Sequence, residues 1–455
     1  MKTYSMVLER GKCFWGKCYF CGWGKKVVER SIEEVKRIFD KFISSKQDIE
    51  RLKIFSSGSF LDPKQFPEEL QDYIFRRAEE YGIKEIVIES RPEFITENVV
   101  SRLSQYKVKI TVAMGLEVAD NEALKILNKG MTVEQYIRAA TLLKKYGLGV
   151  RTYVLVNPHS KIRSPKYVHK TIEFALKYSD SIVVINTYPH KNSDLWEDWI
   201  NGKWRPLDKT EFEKIIAPWK DNPKIEFDFD NFAFIPKFPP EKRIFLRGVG
   251  HEYLRHPYYE VWQDFFQRFY IPPAEKEYVL FLPCAYKKPY TKSKTWKSIL
   301  RAIAGYPFFK KLHLIAVSSP GVIPYEFIKY YPFANYDWPE WEETKEIKKE
   351  YIEVTKDRVL KYVKAHLSHY KEVYFAYLKP DSESMKAIRL AFDELKKSGI
   401  NVRLIECFSE ETYSKLSEAG LKNPVAQPDA IEDLKRRLKN LAYGMMLLEL
   451  KRERK

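Results

Sequence analysis

The first 235 residues alternate regularly between strand-like and helix-like segments, and this pattern constrains the fold more than any other feature. Short apolar and β-branched runs predict strands that are buried on both faces, at residues 4–8, 52–56, 85–89, 109–114, 150–156 and 181–185. Amphipathic helices are predicted between them, for example at 31–44 and 67–81. Because such alternation produces parallel strands with right-handed crossovers, we predict an α/β fold. Six units over this length favour a partial (β/α)6 barrel over a complete eightfold one.

The second half shows a similar α/β pattern. A proline-rich, charged segment at 236–245 marks a boundary, and a basic, aromatic helical stretch follows it, so 236–275 is predicted to be a linker and helical connection. Strand-like runs at 279–282, 312–317, 372–376 and 402–405 predict a second, smaller α/β domain over 276–428. The tail, 429–455, is predicted to form one basic amphipathic helix.

The net charge is +17, from 79 basic and 62 acidic residues. Such an excess favours a polyanionic partner, most commonly RNA or DNA, although a generally basic surface is the alternative. Basic runs at 286–297 and within 435–455 suit phosphate contacts. The sequence contains no apolar run near the roughly 20 residues of a membrane span, and its start resembles no signal peptide. We therefore expect a cytoplasmic protein without a membrane partner.

Cysteine usage points to a metal site. Of the five cysteines, three lie within nine residues of one another near the start, while Cys284 and Cys407 are far apart in the sequence. An odd count with this distribution argues against a secreted disulfide framework and favours a metal or redox site in a reducing compartment.

The three early cysteines are Cys13, Cys18 and Cys21, directly after the first predicted strand. Three thiolates can ligate three irons of a [4Fe–4S] cluster and leave the fourth iron open. An open iron can chelate S-adenosylmethionine (SAM) and pass it an electron, which yields a 5′-deoxyadenosyl radical. The usual spacing of this class has one residue fewer between the first two cysteines. A zinc site is the alternative, but zinc needs further ligands, and the nearest downstream histidine is His159.

Polar residues at predicted strand ends are candidates for binding SAM or substrate, because ligands of α/β barrels bind at the carboxyl ends of the strands. Small residues after the second strand let backbone groups approach a ligand closely, and charged residues follow the third and fourth strands. An aromatic side chain beside the last cysteine is a further candidate, with a core role as its alternative. The predicted set is Phe20, Ser57, Gly58, Ser59, Glu89, Arg91 and Glu117; no catalytic residue is identified.

Three segments resemble the radical SAM enzymes of archaeosine biosynthesis, the RaSEA family. They read IFSSGSFLDP at 54–63, ESRPEFIT at 89–96 and GLEVADNEALKILNKGMT at 115–132. More broadly they resemble the branch that includes Elp3-like and MiaB-like enzymes. The resemblance covers about residues 4–235, but family members have a longer insertion between the first two cysteines.

This resemblance implies a function. In the family, an archaeosine synthase related to transglycosylases attaches lysine to a 7-cyano-7-deazaguanine base in the D-loop of archaeal tRNA, and the radical enzyme then cleaves the adduct to give archaeosine. It implies a [4Fe–4S] cluster on Cys13, Cys18 and Cys21, SAM as cosubstrate, and a tRNA bearing a 7-deazaguanine base. The synthase and an electron donor such as ferredoxin or flavodoxin are the implied partners.

The second half resembles the core domain of archaeosine synthase itself, in PCAYKKPYTKSKTW at 283–296 and in the segment 316–339. Trp296 stands where that family has a histidine, and Tyr325 where it has an arginine. Three hypotheses follow: a degenerate copy that holds tRNA or docks the synthase, a domain that still transfers lysine, or a packing and oligomerisation domain.

Two rival functions remain for the whole chain. One is a different tRNA-modifying radical SAM enzyme, although a methylthiolase needs three more cysteines and an Elp3-like enzyme carries an acetyltransferase domain. The other is a metal-stabilised RNA-binding subunit without turnover.

Overall fold

The chain folds as two compact units, Met1–Ala233 and Phe234–Lys455. The structure, a computed structural model, describes residues 2–229, 235–305 and 307–439.

A single parallel sheet forms the centre of the first unit. Its seven strands pair in chain order, and every neighbouring pair is parallel. They are β1 Thr3–Val7, β2 Arg51–Phe55, β3 Glu85–Glu89, β4 Lys109–Glu117, β5 Gly149–Val156, β6 Ser181–Asn186 and β7 Ile225–Asp228. The six predicted strands are confirmed, and β7 is an addition to them. The sequence pattern does not reveal β7, because only the first of its four side chains is buried.

The sheet is curled into a half-barrel. Lys53 on β2 places its Nζ 3.5 Å from Oε2 of Glu226 on β7, although four strands separate the two in the sheet. Arg151 on β5 donates to the same carboxylate, with its Nη1 2.9 Å from Oε1. Side chains on strands this far apart in the sheet can meet only across its concave face. The first unit therefore has the curled parallel sheet that the β–α alternation predicts.

Helices α1 to α8 connect these strands. They are Ile32–Ser44, Glu68–Glu80, Glu97–Leu103, Asn121–Ile126, Val133–Lys145, Pro165–Tyr178, Asp194–Ile200 and Lys209–Ile216. Helix α1 begins at a capping box in which Ser31 accepts a hydrogen bond from the Glu34 amide and the Glu34 carboxylate accepts one from the Ser31 amide. It buries Val35, Phe39 and Ile43, spaced four residues apart, in the core of the sheet.

The second unit contains a five-stranded sheet, made of β9 Tyr278–Pro283, β10 Leu312–Ser318, β11 Gly321–Pro324, β13 Val373–Ala376 and β14 Arg403–Glu406. Its strand order is β11-β10-β9-β13-β14, and two further strands, β8 Leu246–Arg247 and β12 Tyr336–Asp337, pair separately. All pairs are parallel except the β10–β11 hairpin. The four strands predicted for this half are confirmed, and the hairpin is an addition.

Helices α9 to α14 also lie in the second unit: His251–Leu254, Pro257–Arg268, Lys294–Ala304, Lys345–Ala365, Glu383–Lys397 and Glu410–Glu418. Helix α10, within the segment predicted as a linker, buries Trp262, Phe265 and Phe266 in this unit. A C-terminal helix was predicted at 429–455, and the structure has a helix at 428–439. Residues 440–455 lie outside the described residues. Among the described helices none is long and apolar enough to cross a membrane.

Candidate functional site

The three early cysteines lie on a closed loop at the carboxyl end of β1. Gly11 and Val28 pair through two backbone hydrogen bonds of 2.7 and 2.9 Å, and the residues between them, 12–27, form what we call the cysteine loop. Just before it, the Arg10 guanidinium donates to the carbonyl oxygens of Lys64 and Gln65, at 3.1 and 2.6 Å. The loop is thus tied to the segment that follows β2.

The three thiols lie close enough in the loop for neighbouring thiols to shift each other's pKa. Burial raises the pKa of the Cys18 and Cys21 thiols, and the neighbouring cysteine raises each further, Cys21 acting on Cys18 and Cys13 on Cys21. The Lys129 ammonium opposes both effects. The structure therefore gathers the predicted ligands beside a buried cation.

This donor set fits a [4Fe–4S] cluster. Such a cluster takes one cysteine thiolate at each of several irons, and three thiols from one loop leave an iron open. Within residues 2–229, 235–305 and 307–439, no three His, Cys, Asp or Glu side chains are grouped to hold a single metal ion. Cys13, Cys18 and Cys21 would hold the cluster, and Lys129 and Arg91 would offset its negative charge.

Lys129 is the main site residue that the sequence did not reveal. It is buried, its Nζ lies 2.7 Å from Glu117 Oε1, and it faces the Phe20 ring at 5.7 Å from the centroid. Burial alone lowers the pKa of this lysine, but Glu117 and Cys18 outweigh burial and hold the pKa above its usual value. A permanent positive charge therefore lies among Glu117, Cys18 and Phe20.

Glu117 reaches this position through an irregular backbone. Its φ is +64°, and the register of β4 against β5 shifts between Gly115 and Glu117. A Cβ at Gly115 would lie 2.3 Å from Glu117 Oε1 and 2.8 Å from Lys129 Nζ, so only glycine leaves room for the ion pair. A non-glycine residue with a positive φ, such as Glu117, costs about 1–3 kcal/mol of backbone strain. Such strain clusters at functional sites.

Glu89, at the end of β3, has a pKa close to neutral pH. Burial raises its pKa to about 7, although the Ser56 amide and the Tyr153 hydroxyl both donate to it. A carboxyl group with this pKa exchanges protons near neutral pH, as a general acid or base must. Tyr153, on β5, is a second residue that the sequence did not reveal.

The other predicted residues lie at the same edge, but their polar groups are bound within the protein. Arg91 donates to the carbonyl oxygens of Lys129 and Gly130, at 3.0 and 2.9 Å. Ser57 donates to the buried Glu9, and Ser59 Oγ accepts the Arg91 amide at 3.0 Å.

Gly58 lies beside the Gln65 amide, where a Cβ would come within 2.2 Å of the Gln65 side chain. These contacts hold the strand-end loops in place. Direct contact of Ser57, Gly58, Ser59 or Arg91 with SAM stays a prediction, and so does SAM binding by Phe20, which packs beside Val118, Ala123, Leu127 and Ile162.

Unused hydrogen-bond acceptors lie at the carboxyl ends of two further strands. The side-chain oxygens of Asn157, after β5, and Asn186, ending β6, are buried and find no partner among the described residues. Their amide nitrogens donate to the carbonyl oxygens of Arg205 and Leu207, both at 2.9 Å. Buried acceptors are normally satisfied, so these two oxygens are suited to accept from a ligand or water.

Aromatic side chains fasten the cysteine loop to the other strand-end loops. The Trp15 indole donates to the Asn128 carbonyl at 2.7 Å and lies over Gly130, where a Cβ would come within 2.3 Å of the ring. The Tyr19 hydroxyl donates to Asp198, and the Tyr19 ring packs against His159 with centroids 4.6 Å apart. The loop geometry therefore depends on the loops that follow β4, β5 and β6.

In the second unit, the two positions that depart from the synthase motif pack against each other. Trp296 is fully buried, its indole donates to the Pro283 carbonyl at 2.9 Å, and it stacks on Tyr325 with ring planes 18° apart. The expected histidine and arginine are thus replaced together by an aromatic pair.

Cys284 lies at the same edge of the second sheet, after β9. Burial raises the pKa of its thiol, so it remains protonated near neutral pH. The Lys288 ammonium lies 4.1 Å from the centroid of the Tyr336 ring, and burial lowers its pKa. Cys284 is therefore not poised as a thiolate nucleophile.

Comparison with known families assigns both halves of the chain. Residues 11–174 match the Radical SAM superfamily, and residues 260–417 match DUF5591, a domain of unknown function. Domains of the first kind use SAM and a [4Fe–4S] cluster.

Several curated relatives match part of the chain. An uncharacterized protein of Methanocaldococcus jannaschii, MJ0550, is 34% identical over 171 residues, which is 34% of this chain and 47% of the relative. The archaeosine synthase subunit beta of Methanosarcina acetivorans is 29% identical over 218 residues, 45% of this chain and 63% of the relative. That of Thermococcus kodakarensis is 30% identical over 201 residues, 42% and 62% respectively. The chain thus spans less than two thirds of each of these relatives.

Two further comparisons are a shorter match to a curated protein and a likeness to a solved structure. The archaeosine synthase subunit alpha of Thermoplasma acidophilum is 29% identical over 113 residues, 25% of this chain and 22% of the relative. A queuine lyase from Clostridium spiroforme, solved with SAM and queuine, is 21% identical, covers 50% of this chain and 91% of its own, and has a TM-score of 0.37. Because residues 11–174 and 260–417 match these two families, the chain has a radical SAM domain in its first unit and a DUF5591 domain in its second.

Proposed function

We propose that this chain is a radical SAM enzyme that cleaves the lysine adduct of 7-cyano-7-deazaguanosine in tRNA to give archaeosine. The observation that carries the proposal is the closed loop bearing Cys13, Cys18 and Cys21 at the carboxyl edge of a curled parallel sheet. Relatives named archaeosine synthase subunit beta support the choice of substrate. An archaeosine synthase would supply the adduct, and a ferredoxin or flavodoxin would supply electrons.

The protein's contribution follows from the geometry of the site. Cys13, Cys18 and Cys21 would hold the cluster, which when bound would supply the electron that converts SAM to methionine and a 5′-deoxyadenosyl radical. Lys129 and Arg91 place two positive charges beside Cys18 and so stabilise its thiolate form.

The remaining groups bind the ligands and move a proton. The free oxygens of Asn157 and Asn186 accept hydrogen bonds from hydroxyl or ammonium groups of a bound ligand. Glu89, with a pKa of about 7, takes up or releases a proton at Oε1 or Oε2 as the adduct is cleaved.

Turnover without the synthase tests this function. Protein reconstituted anaerobically with iron and sulfide is incubated with reductant, SAM and lysine-adduct tRNA, and the nucleosides are analysed by mass spectrometry. We expect archaeosine from the wild type and from Cys284→Ala, a matched control outside the loop, but none from Cys18→Ala. Stoichiometric zinc in the wild type, together with no cleavage of SAM, would show an RNA-binding subunit without turnover and refute the proposal.

We further infer that the second unit does not transfer lysine. Trp296 fills the position of the expected histidine and has no titratable group, while Tyr325 removes the expected cation. Wild-type protein supplied with free lysine and tRNA bearing 7-cyano-7-deazaguanine should form no adduct. Adduct formation in that mixture would show that the unit retains the transferase activity.

A further inference from the structure

Part of the second unit carries a dense group of unpaired lysines. Residues 286–297, here called the lysine segment, run from the loop after β9 into the first turn of α11 and contain five lysines and no acidic residue. Four of the five are exposed and have no ion-pair partner in the described part of the chain: Lys287, Lys292, Lys294 and Lys297. The segment lies at the carboxyl edge of the second sheet, because it directly follows a strand of the parallel set.

These charges do not stabilise the fold locally. A helix N-terminus carries a positive partial charge and is stabilised by acidic residues. Helices α10, α12, α13 and α14 each have a glutamate in the first turn, but α11 has no acidic residue there. Lys294 and Lys297 therefore add repulsion and raise the positive potential of this surface, which favours an anionic partner.

An exposed aromatic ring lies within the same segment. Tyr286 is 83% exposed, and its carbonyl oxygen accepts a hydrogen bond from the Lys288 ammonium at 3.3 Å. Unpaired RNA bases stack on exposed aromatic rings while nearby lysines contact the phosphates. A paired helix offers phosphates but no free base face, so the combination selects unpaired RNA.

We propose that the lysine segment binds the phosphate backbone of an unpaired stretch of RNA and that Tyr286 stacks on one of its bases. The proposal rests on the proposed function only in taking RNA as the partner. It assigns to the second unit a role in holding the substrate of the first.

Fluorescence anisotropy tests this with the full-length chain and a short fluorescein-labelled single-stranded RNA, without SAM or reductant, over a range of salt concentrations. Log affinity falls linearly with log salt, and each lost phosphate contact reduces the magnitude of this negative slope by about 0.7 for a single strand. Lys287→Gln/Lys294→Gln should therefore reduce the magnitude of the slope by about 1.4. The matched control is Lys396→Gln/Lys397→Gln, which changes two exposed lysines in the last turn of α13, at the opposite edge of the sheet. It should leave the slope unchanged.

The tyrosine is tested separately from the lysines. Losing one stacked base weakens binding on the order of 5- to 150-fold, and Tyr286→Ala should do so without changing the salt slope. Ile271→Ala is its control, because Ile271 is also 83% exposed and precedes β9. Equal effects of the two lysine pairs, or no effect of Tyr286→Ala, would overturn the proposal.

Crosslinking distinguishes RNA bound at the lysine segment from RNA bound by the first unit. Single-stranded RNA containing 4-thiouridine is crosslinked to the wild type, and the modified peptides are mapped by mass spectrometry. We expect adducts on the peptide that contains Tyr286. Adducts confined to residues 1–233 would refute the proposal, and because no turnover is needed, this failure would leave the proposed cleavage reaction untouched.

Discussion

The buried ion pair between Lys129 and Glu117 gives a quantitative prediction for the first unit. The two side chains are 9% and 7% exposed, and their charged atoms lie 2.7 Å apart. Lys129→Met removes the cation but leaves the Glu117 carboxylate buried beside Cys18. Removing one partner of a buried pair costs about 3–5 kcal/mol, because the remaining charge is left without compensation. We expect a loss of this size in the free energy of unfolding.

Calorimetry of the metal-free protein measures this loss. For a unit of this length, 1 kcal/mol corresponds to roughly 2–4 °C in unfolding temperature, so Lys129→Met should lower the transition of the first unit by about 6–20 °C. The second unit serves as an internal reference, because the substitution leaves its residues unchanged. Adding Glu117→Gln to Lys129→Met should restore most of the loss, since the uncompensated charge is then removed.

An exposed ion pair of similar geometry tests whether burial causes the predicted loss of stability. Lys125 and Glu122 lie 2.6 Å apart, but their side chains are 72% and 78% exposed. Lys125→Met should therefore cost only about 0–1 kcal/mol. If Lys129→Met and Lys125→Met lower the unfolding temperature equally, the reasoning that places a buried, compensated charge beside Cys18 is wrong.

Three further predictions concern other parts of the chain. The pKa of Glu89 rises from 4.5 to about 7 on folding, so wild-type stability should fall by about 3 kcal/mol as pH rises through that interval. Glu89→Gln should remove this dependence in denaturant titrations, and an unchanged pH profile would contradict the raised pKa. Gly130 has φ +63° and lies beneath Trp15, so Gly130→Ala should lower the iron content of reconstituted protein. Gly147 has φ +73° but lies in open space, so Gly147→Ala should retain the iron. Equal iron contents would contradict the argument that Trp15 packing on Gly130 shapes the cysteine loop. Trp296→His should destabilise the second unit by about 3 kcal/mol without producing lysine adducts, and recovery of transfer activity would contradict our inference.

The strands were predictable where burial produces a continuous apolar run, as at residues 86–88 of β3 and 153–156 of β5. Strand β7 was not, because Ile225 is its only fully buried residue and the strand has no apolar run. The β10–β11 hairpin was missed because β11 follows β10 after only two residues, so the two strands look like one segment. Pattern reasoning thus finds strands that carry a separate apolar run and misses strands that lack such a run or that directly follow another strand.

For the candidate site, the sequence identified residues whose order along the chain places them at strand ends. Glu89 and Glu117 are examples, and the structure brings both to the edge that carries the cysteine loop. Lys129 was not identified, because a lysine between Asn128 and Gly130 looks like part of an exposed turn. Its burial depends on the Glu117 carboxylate at the end of β4 and on Phe20, which only the folded chain brings near.

Isotope transfer tests the central claim most directly. Reconstituted protein is incubated with reductant, SAM and tRNA whose lysine adduct is fully deuterated on carbon, and both archaeosine and 5′-deoxyadenosine are quantified by mass spectrometry. If a 5′-deoxyadenosyl radical generated at Cys13, Cys18 and Cys21 cleaves the adduct, 5′-deoxyadenosine should gain deuterium and increase together with archaeosine. Cluster-loaded protein that cleaves SAM but leaves the adduct intact, with unlabelled 5′-deoxyadenosine, would contradict the account.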